Sequence, residues 1–112
     1  MLCQMINNLK MEQLRKTFQE EVKELWEDDR EHYEEADDFI EDRYNGFELC
    51  KYECMEFLGN DLDLIFDMED EVCKYNVDEF GEVWEGRGIV KIVMFWKYMV
   101  ARDYANQHLQ QY

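Results

Sequence analysis

The sequence predicts an all-α protein, a compact bundle of about four to six helices around a central apolar helix near the C-terminus. Three observations indicate this fold class. The chain of 112 residues has no proline and only five glycines, so few residues interrupt a helix. Apolar residues recur at helical spacing in its first half. The hydrophobic share of 46% is large enough for a buried core, and we expect one domain over residues 1–112.

The first helical segment is marked by apolar residues three or four positions apart, interrupted by a polar Asp29. The mean step of about 3.67 residues allows one long helix from about Asn8 to Tyr44. The alternative is a break near Asp28 to Arg30, which we favour slightly because such a helix exceeds the usual length. The apolar positions are Met11, Leu14, Phe18, Val22, Leu25, Tyr33, Ala36, Ile40, Tyr44 and Phe47.

Two shorter helices are expected next. Asn45-Gly46 supplies a helix stop, and Gly59-Asn60 closes the helix that follows it. Asn60 or Asp61 can cap the next helix, although the alternation over residues 61–64 also fits a very short strand. The first of these helices is marked by Phe47, Cys50, Cys54, Phe57 and Leu58, and the second by Leu62, Ile65, Phe66, Val72 and Cys73.

The C-terminal third predicts a short helix with a glycine-rich turn over residues 76–88, followed by a final helix over residues 89–109. This final helix is apolar on nearly every side, so we expect the other helices to bury it. Lys91, Lys97 and Arg102 on it are expected at the rim, with packed stems and with charges that meet the acidic helices.

The charge is large and unevenly distributed. Of a formal net charge of −16, residues 20–85 carry 26 acids and 5 bases, whereas the rest of the chain carries 2 acids and 7 bases. An acidic surface repels nucleic acid and anionic membranes and attracts basic proteins and cations. We therefore expect a basic nucleic-acid-binding protein as partner, and no direct contact with nucleic acid or membrane.

The cysteines and the absence of an evident signal peptide indicate the cytoplasm, with reduced thiols. Cys50 and Cys54 lie one helical turn apart, as in half of a zinc site, but no second pair follows, so we interpret the four cysteines as small core residues. No nucleophile motif, phosphate-binding loop or EF-hand loop is present. We predict a non-enzymatic protein without cofactor or metal.

One enzyme family remains an alternative. The stretches EEVKE at residues 20–24 and EADD at residues 35–38 resemble the E-E-x-x-E and E-x-x-D signature of the MazG-like nucleotide pyrophosphohydrolases. In that family the two motifs lie on adjacent antiparallel helices and hold magnesium on a nucleoside triphosphate. The resemblance implies the same role for carboxylates of these two stretches, Glu21 and Glu24 among them.

The densest acidic run is residues 20–42, with thirteen acids against two bases. On one straight helix it would span about 35 Å with one charge per roughly 2.7 Å, between the spacing along one DNA strand and along the duplex. Like charges four residues apart, such as Glu20 with Glu24 and Glu27 with Glu31, cost a few tenths of a kcal/mol each. Their retention indicates that the negative potential itself is useful.

This composition and charge spacing resemble nucleic-acid mimics of phages and mobile elements, namely antirestriction proteins of the Ocr type and some anti-CRISPR proteins; bacteriocin immunity proteins are acidic for a similar reason. The resemblance implies an inhibitor that blocks a basic nucleic-acid-binding surface in the cytoplasm of a host bacterial cell. Trp26, Tyr33 and Trp84 are candidate anchors, with core packing favoured for Trp26, and homodimerisation stays open. The predicted partner-binding residues are Glu20, Glu24, Glu27, Asp28, Glu31, Glu34, Glu35, Asp38, Glu41, Asp42, Asp67 and Asp70.

Overall fold

Five α-helices surround one core in the computed structural model, which describes residues 2–46, 48–75 and 88–109. All regular secondary structure in these ranges is helical, as predicted. The elements in chain order are α1 (Leu2–Asp29), a 3-10 turn (Arg30–His32), α2 (Ala36–Tyr44), α3 (Lys51–Phe57), α4 (Leu64–Tyr75), α5 (Ile89–Tyr104) and a π-helical turn (Ala105–Leu109).

The first apolar series folds as two helices, so the favoured break is confirmed, and α1 begins at Leu2 rather than near Asn8. The break has a packing reason. It turns α2 back toward the core, where Phe39 and Ile40 are at most 1% exposed, and the Phe39 ring stacks on Trp26 at a centroid distance of 5.4 Å. A continuous helix would carry these side chains away from that core.

Helix α5 is central, as predicted. It contacts α1, α2, α3 and α4, and Val93, Trp96 and Ala101 on it are fully buried. Trp96 packs beside Phe18 of α1 and Phe57 of α3, at ring-centroid distances of 6.1 and 5.9 Å. The apolar side chains of α5 are therefore buried against neighbouring helices on several sides.

The predicted helix stops are also confirmed. Gly46 and Gly59 have φ angles of +83° and +68°, and Asn60 has +64°. The Asn60 amide bonds back to the carbonyl of Met55 at 2.9 Å, which satisfies a carbonyl at the end of α3. Asp61 Oδ1 accepts the Asp63 amide at 3.2 Å just before α4 begins, so residues 61–63 form a turn that leads into the helix rather than a strand.

Two expectations about apolar residues are wrong. Leu62 and Phe66 do not belong to the buried face of α4, since they are 47% and 68% exposed. Met68 and Val72, one turn apart, form that face, and Phe66 lies on the opposite side of the helix. Cys54 is a core residue, but Cys50 is exposed at the start of α3, where its sulfur accepts the amide of Glu53.

The predicted short helix and glycine-rich turn lie almost wholly outside the described residues, as do Phe47 and Trp84. Within the described residues, no helix is both long and apolar enough to cross a membrane.

Candidate functional site

The candidate site begins on the outer side of α1. Phe18, Val22 and Trp26 occupy its buried side, with relative exposures of 1%, 0% and 5%. A residue two positions away points roughly opposite, so the glutamates at 20 and 24 face solvent. Over residues 20–29 the helix carries six acids along about 15 Å. Its exposed predicted site residues are Glu20, Glu24, Glu27 and Asp28.

The exposed acids continue over the 3-10 turn and into α2, which is held against the end of α1. The Arg43 guanidinium donates to Asp29, and Trp26 stacks on Phe39. These contacts keep the two acidic segments together. We define the acidic surface as Glu20, Glu24, Glu27, Asp28, Glu31, Glu34, Glu35 and Asp38, all of them exposed.

The straight charge array of about 35 Å considered from the sequence is wrong, because α1 ends at Asp29 and the chain turns. The acids therefore lie on two helices and the turn between them. The local density on α1 stays close to one charge per roughly 2.5 Å over its last ten residues. The exposed acids are therefore not arranged along one straight helix.

Several bases of the chain pair with carboxylates elsewhere. Lys10 pairs with Asp61 at 2.7 Å, and Arg15 bridges Glu12 of α1 and Glu71 of α4. Glu71 also accepts the indole N–H of Trp96, so this network fastens α1, α4 and α5. In contrast, Glu20, Glu24, Glu27, Asp28, Glu31, Glu35 and Asp38 have no side-chain hydrogen bond or ion pair within the described ranges.

Glu41 and Asp42 are exposed as well, but they differ from this surface because both accept hydrogen bonds from other side chains of the protein. Glu41 accepts from the Tyr98 hydroxyl and from Asn45, and these two bonds lower the pKa of Glu41. Asp42 accepts the Tyr33 hydroxyl at 2.7 Å, which raises the pKa of Tyr33. No local sequence pattern indicates the bond to Tyr98, whose position is 57 residues from Glu41.

Asp67 and Asp70 are also apart from the acidic surface. They lie on α4, which meets α1 through the Arg15 and Glu71 pair rather than beside the last turns of α1. Asp70 is exposed. One carboxylate oxygen of Asp67 is buried and has no hydrogen-bond partner among the described residues. Of the twelve predicted site residues, the structure gathers eight on the acidic surface.

A cavity of about 310 Å³ lies beside the site, between α1, α2 and α5. Lys97 reaches into it with its ammonium group 5.3 Å from the Phe18 ring centroid and 4.8 Å from that of Phe57. Burial lowers the pKa of Lys97, opposed by the charge of Glu21. The stem packs as predicted, but the charge rests over aromatic rings.

The candidate anchors Trp26 and Tyr33 have internal roles. Trp26 is buried, as favoured from the sequence. Tyr33 is half-buried, with its ring stacked on Phe39 at 5.6 Å and its hydroxyl on Asp42. Among the aromatic side chains that the structure describes, Tyr52 of α3 is the most exposed, at 74%, and sequence periodicity did not single it out.

No set of three or more His, Cys, Asp or Glu side chains suited to a metal ion is found in the part of the chain that the structure describes. Comparison with protein-family models, with curated proteins and with solved structures finds no match.

Proposed function

We propose that this protein is a non-enzymatic inhibitor whose acidic surface occupies the basic nucleic-acid-binding surface of another protein. The observation that supports it best is the set of exposed carboxylates on α1, the 3-10 turn and α2 that have no ion pair within the described residues. A basic protein surface would supply the missing cations.

The arrangement of charge inside the molecule supports the same function. Arg15 of α1 pairs with Glu71 of α4, and Arg43 of α2 pairs with Asp29 of α1, so each pair joins two helices. Lys97 lies over aromatic rings. These bases stabilise the fold, and Lys23 and Arg30 are the two bases within residues 20–42, against thirteen acids. Repulsion among neighbours such as Glu20 and Glu24 is then a cost to folding that binding would relieve.

Electrostatic steering predicts how such a complex behaves. A patch of like charge accelerates association with an oppositely charged surface, and added salt screens the attraction. Binding should be competitive with DNA or RNA, since both would use the same basic groups. The target belongs to the nucleases or defence proteins, in an antirestriction, anti-CRISPR or immunity role.

The experiment begins with immobilised protein and a bacterial lysate cleared of nucleic acid. A protein that is captured at low salt and displaced by added DNA or RNA is purified, and its nucleic-acid binding is titrated with three proteins. These are the wild type, a surface variant with Glu24, Glu27 and Glu31 changed to Gln, and a control with Glu48→Gln, Glu56→Gln and Asp63→Asn. The control also removes three exposed charges.

We expect the surface variant to inhibit about tenfold more weakly at low salt, and the control to stay near wild type. Equal inhibition by both variants, or capture that nucleic acid does not displace, would contradict the proposal. Release of pyrophosphate from nucleoside triphosphates with magnesium, lost in Glu21→Gln, would favour the enzyme alternative.

A further inference from the structure

The cavity between α1, α2 and α5 combines an apolar floor with charged residues at its opening. Its volume of about 310 Å³ lies at the lower end of the range for ligand sites in proteins, about 300 to 1,000 Å³. Phe18, at 1% exposure, lies at the floor, and Leu25 is half-buried. The exposed lining residues are Glu21, Asp42 and Arg43. A cavity of this size and lining suits one small molecule with an apolar part and a polar part.

Four charged side chains line the described part of this cavity, and two of them are bonded to other residues. Arg43 pairs with a carboxylate of α1, and Asp42 accepts a tyrosine hydroxyl at 2.7 Å. The other two, Lys97 and Glu21, have no hydrogen bond or ion pair within the described ranges. The charges left for a ligand are therefore one ammonium group and one carboxylate.

Lys97 occupies a position where an uncharged side chain would cost less free energy. Its ammonium group lies 5.3 Å from the ring centroid of Phe18 and 4.8 Å from that of Phe57. These rings attract the cation, but burial removes water from it and lowers the pKa of Lys97, and the charge of Glu21 opposes this shift only in part. The hydrogen bonds that the ammonium group can donate are not made to any described residue. We therefore expect an acceptor from outside the chain.

The net charge of the molecule restricts what this acceptor can be. A simple anion would be repelled by a chain of charge −16, whereas a zwitterion has no net charge. We propose that the cavity binds a small zwitterion, an α-amino acid with an apolar side chain, whose carboxylate contacts Lys97 and whose ammonium group contacts Glu21. The apolar side chain of the ligand lies against Phe18 and Leu25, which line the same cavity. This site does not rest on the proposed function, because none of these four residues belongs to the acidic surface.

The test is calorimetric titration of the full chain with L-leucine and two analogues. Leucinamide keeps the ammonium group of leucine but lacks its carboxylate, and isocaproate keeps the carboxylate but lacks the ammonium group. We expect leucine to bind with a dissociation constant below about 1 mM, and each analogue to bind at least about tenfold more weakly because it loses one charged contact. Equal binding of the three ligands would overturn the proposal. So would the absence of binding up to about 10 mM leucine, as expected of a cavity that holds only water.

Two variants of the protein test the assigned contacts. Lys97→Met and Glu21→Gln remove the two charges and keep side chains of similar size, and each should weaken leucine binding at least about tenfold. The matched controls are Lys91→Met and Glu56→Gln, whose exposed side chains do not line the cavity, and both should bind leucine like wild type. Without leucine, Lys97→Met should be at least as stable to urea as wild type, because burial no longer opposes a charge.

A Lys97→Met variant that binds leucine as tightly as Lys91→Met would contradict the proposed contact. Circular dichroism verifies that each variant folds. Since Glu21 is exposed, Glu21→Gln should fold in any case, and it decides the test if Lys97→Met does not. Leucine should also raise the melting temperature of wild type and leave that of both variants nearly unchanged.

Discussion

At the scale of single residues, tyrosine hydroxyls near the acidic run have contrasting environments. The Tyr98 hydroxyl donates to Glu41, whereas the Tyr44 hydroxyl is buried without a hydrogen-bond partner among the described residues. Burial raises the pKa of Tyr44, since its ionised form would lose solvation. A buried polar group without a partner costs free energy, while a bond to a carboxylate stabilises.

The first prediction compares the removal of these two hydroxyls. Tyr98→Phe should lower the free energy of unfolding by about 0.5 to 1.5 kcal/mol, because Glu41 loses a hydrogen bond that water replaces only in part. Tyr44→Phe should leave it unchanged or raise it by up to about 1 kcal/mol, because no described bond is lost. Urea unfolding followed by circular dichroism measures both. Equal destabilisation by the two substitutions would contradict the assigned environments.

The second prediction concerns pH and Glu41. Bonds from Tyr98 and Asn45 hold the pKa of Glu41 below its ordinary value of 4.5, so the folded state binds this proton less readily than the unfolded chain. The stability from Glu41 is therefore complete above that value and is lost as the pH falls through the lower pKa of the folded state.

Glu41→Gln should accordingly be less stable than wild type at neutral pH, and the difference should narrow as the pH falls below about 4.5. Urea unfolding at a series of pH values measures this. The control is Glu27→Gln, because Glu27 has no side-chain hydrogen bond within the described ranges. It should not be less stable than wild type at neutral pH. A constant difference for Glu41→Gln at all pH values would exclude this role.

At the scale of helices, the ends depend on backbone conformation. Gly59 follows α3 with φ of +68°, a region that side chains with a Cβ atom rarely adopt. Gly88 precedes α5 with φ of −92°, which any residue tolerates. At both positions an added Cβ would meet no atom within 4 Å, so the backbone alone distinguishes them.

The third prediction follows from this contrast. Gly59→Ala should lower the free energy of unfolding by about 1 kcal/mol, because alanine is strained at positive φ. Gly88→Ala should change it by no more than about 0.5 kcal/mol. Thermal unfolding of both variants checks the difference. An equal loss in the two would mean that the turn after α3 can adopt another conformation.

The sequence predicted the helices better than it predicted the contacts between them. The break after Asp29 and the central α5 follow from local rules, namely helix length and apolar residues on most sides. Phe66 was misassigned because composition alone does not say which side of α4 meets the core. The bond of Glu41 to Tyr98 joins positions 57 residues apart, and no local pattern carries that information.

The exposure of the acidic side chains could be predicted from the sequence, but their availability to a partner could not. Charged side chains on the outer side of a helix follow directly from the buried positions of Phe18 and Val22. Whether a given acid also has an internal partner, as Glu41 and Asp42 do, depends on tertiary contacts. Counting charge therefore overestimates the carboxylates available to a partner.

At the scale of the whole molecule, the longest helix carries its charge unevenly, with six acids in its last ten residues and one acid before them. The largest dimension is 44 Å, close to the roughly 42 Å of a 28-residue helix such as α1. An apolar groove lined by Leu9, Leu14 and Phe57 lies beside the first half of that helix, and the acidic surface begins in its second half. One long helix thus separates an apolar groove from the acidic surface.

The fourth prediction concerns the cost of this net charge to the folded state. Salt screens the repulsion among exposed acids, and it also weakens ion pairs such as those of Arg15 and Arg43. With a net charge of −16 the repulsion should prevail, so the melting temperature should rise by several degrees between about 0.01 and 0.3 M sodium chloride.

The variant with Glu24, Glu27 and Glu31 changed to Gln should melt higher than wild type at low salt and gain less from added salt, since three of the repelling charges are gone. Scanning calorimetry on both proteins, at one protein concentration so that any self-association is the same, measures the two slopes. A melting temperature that falls with salt would mean that ion pairs outweigh repulsion. The exposed carboxylates would then have no folding cost for a basic partner to relieve.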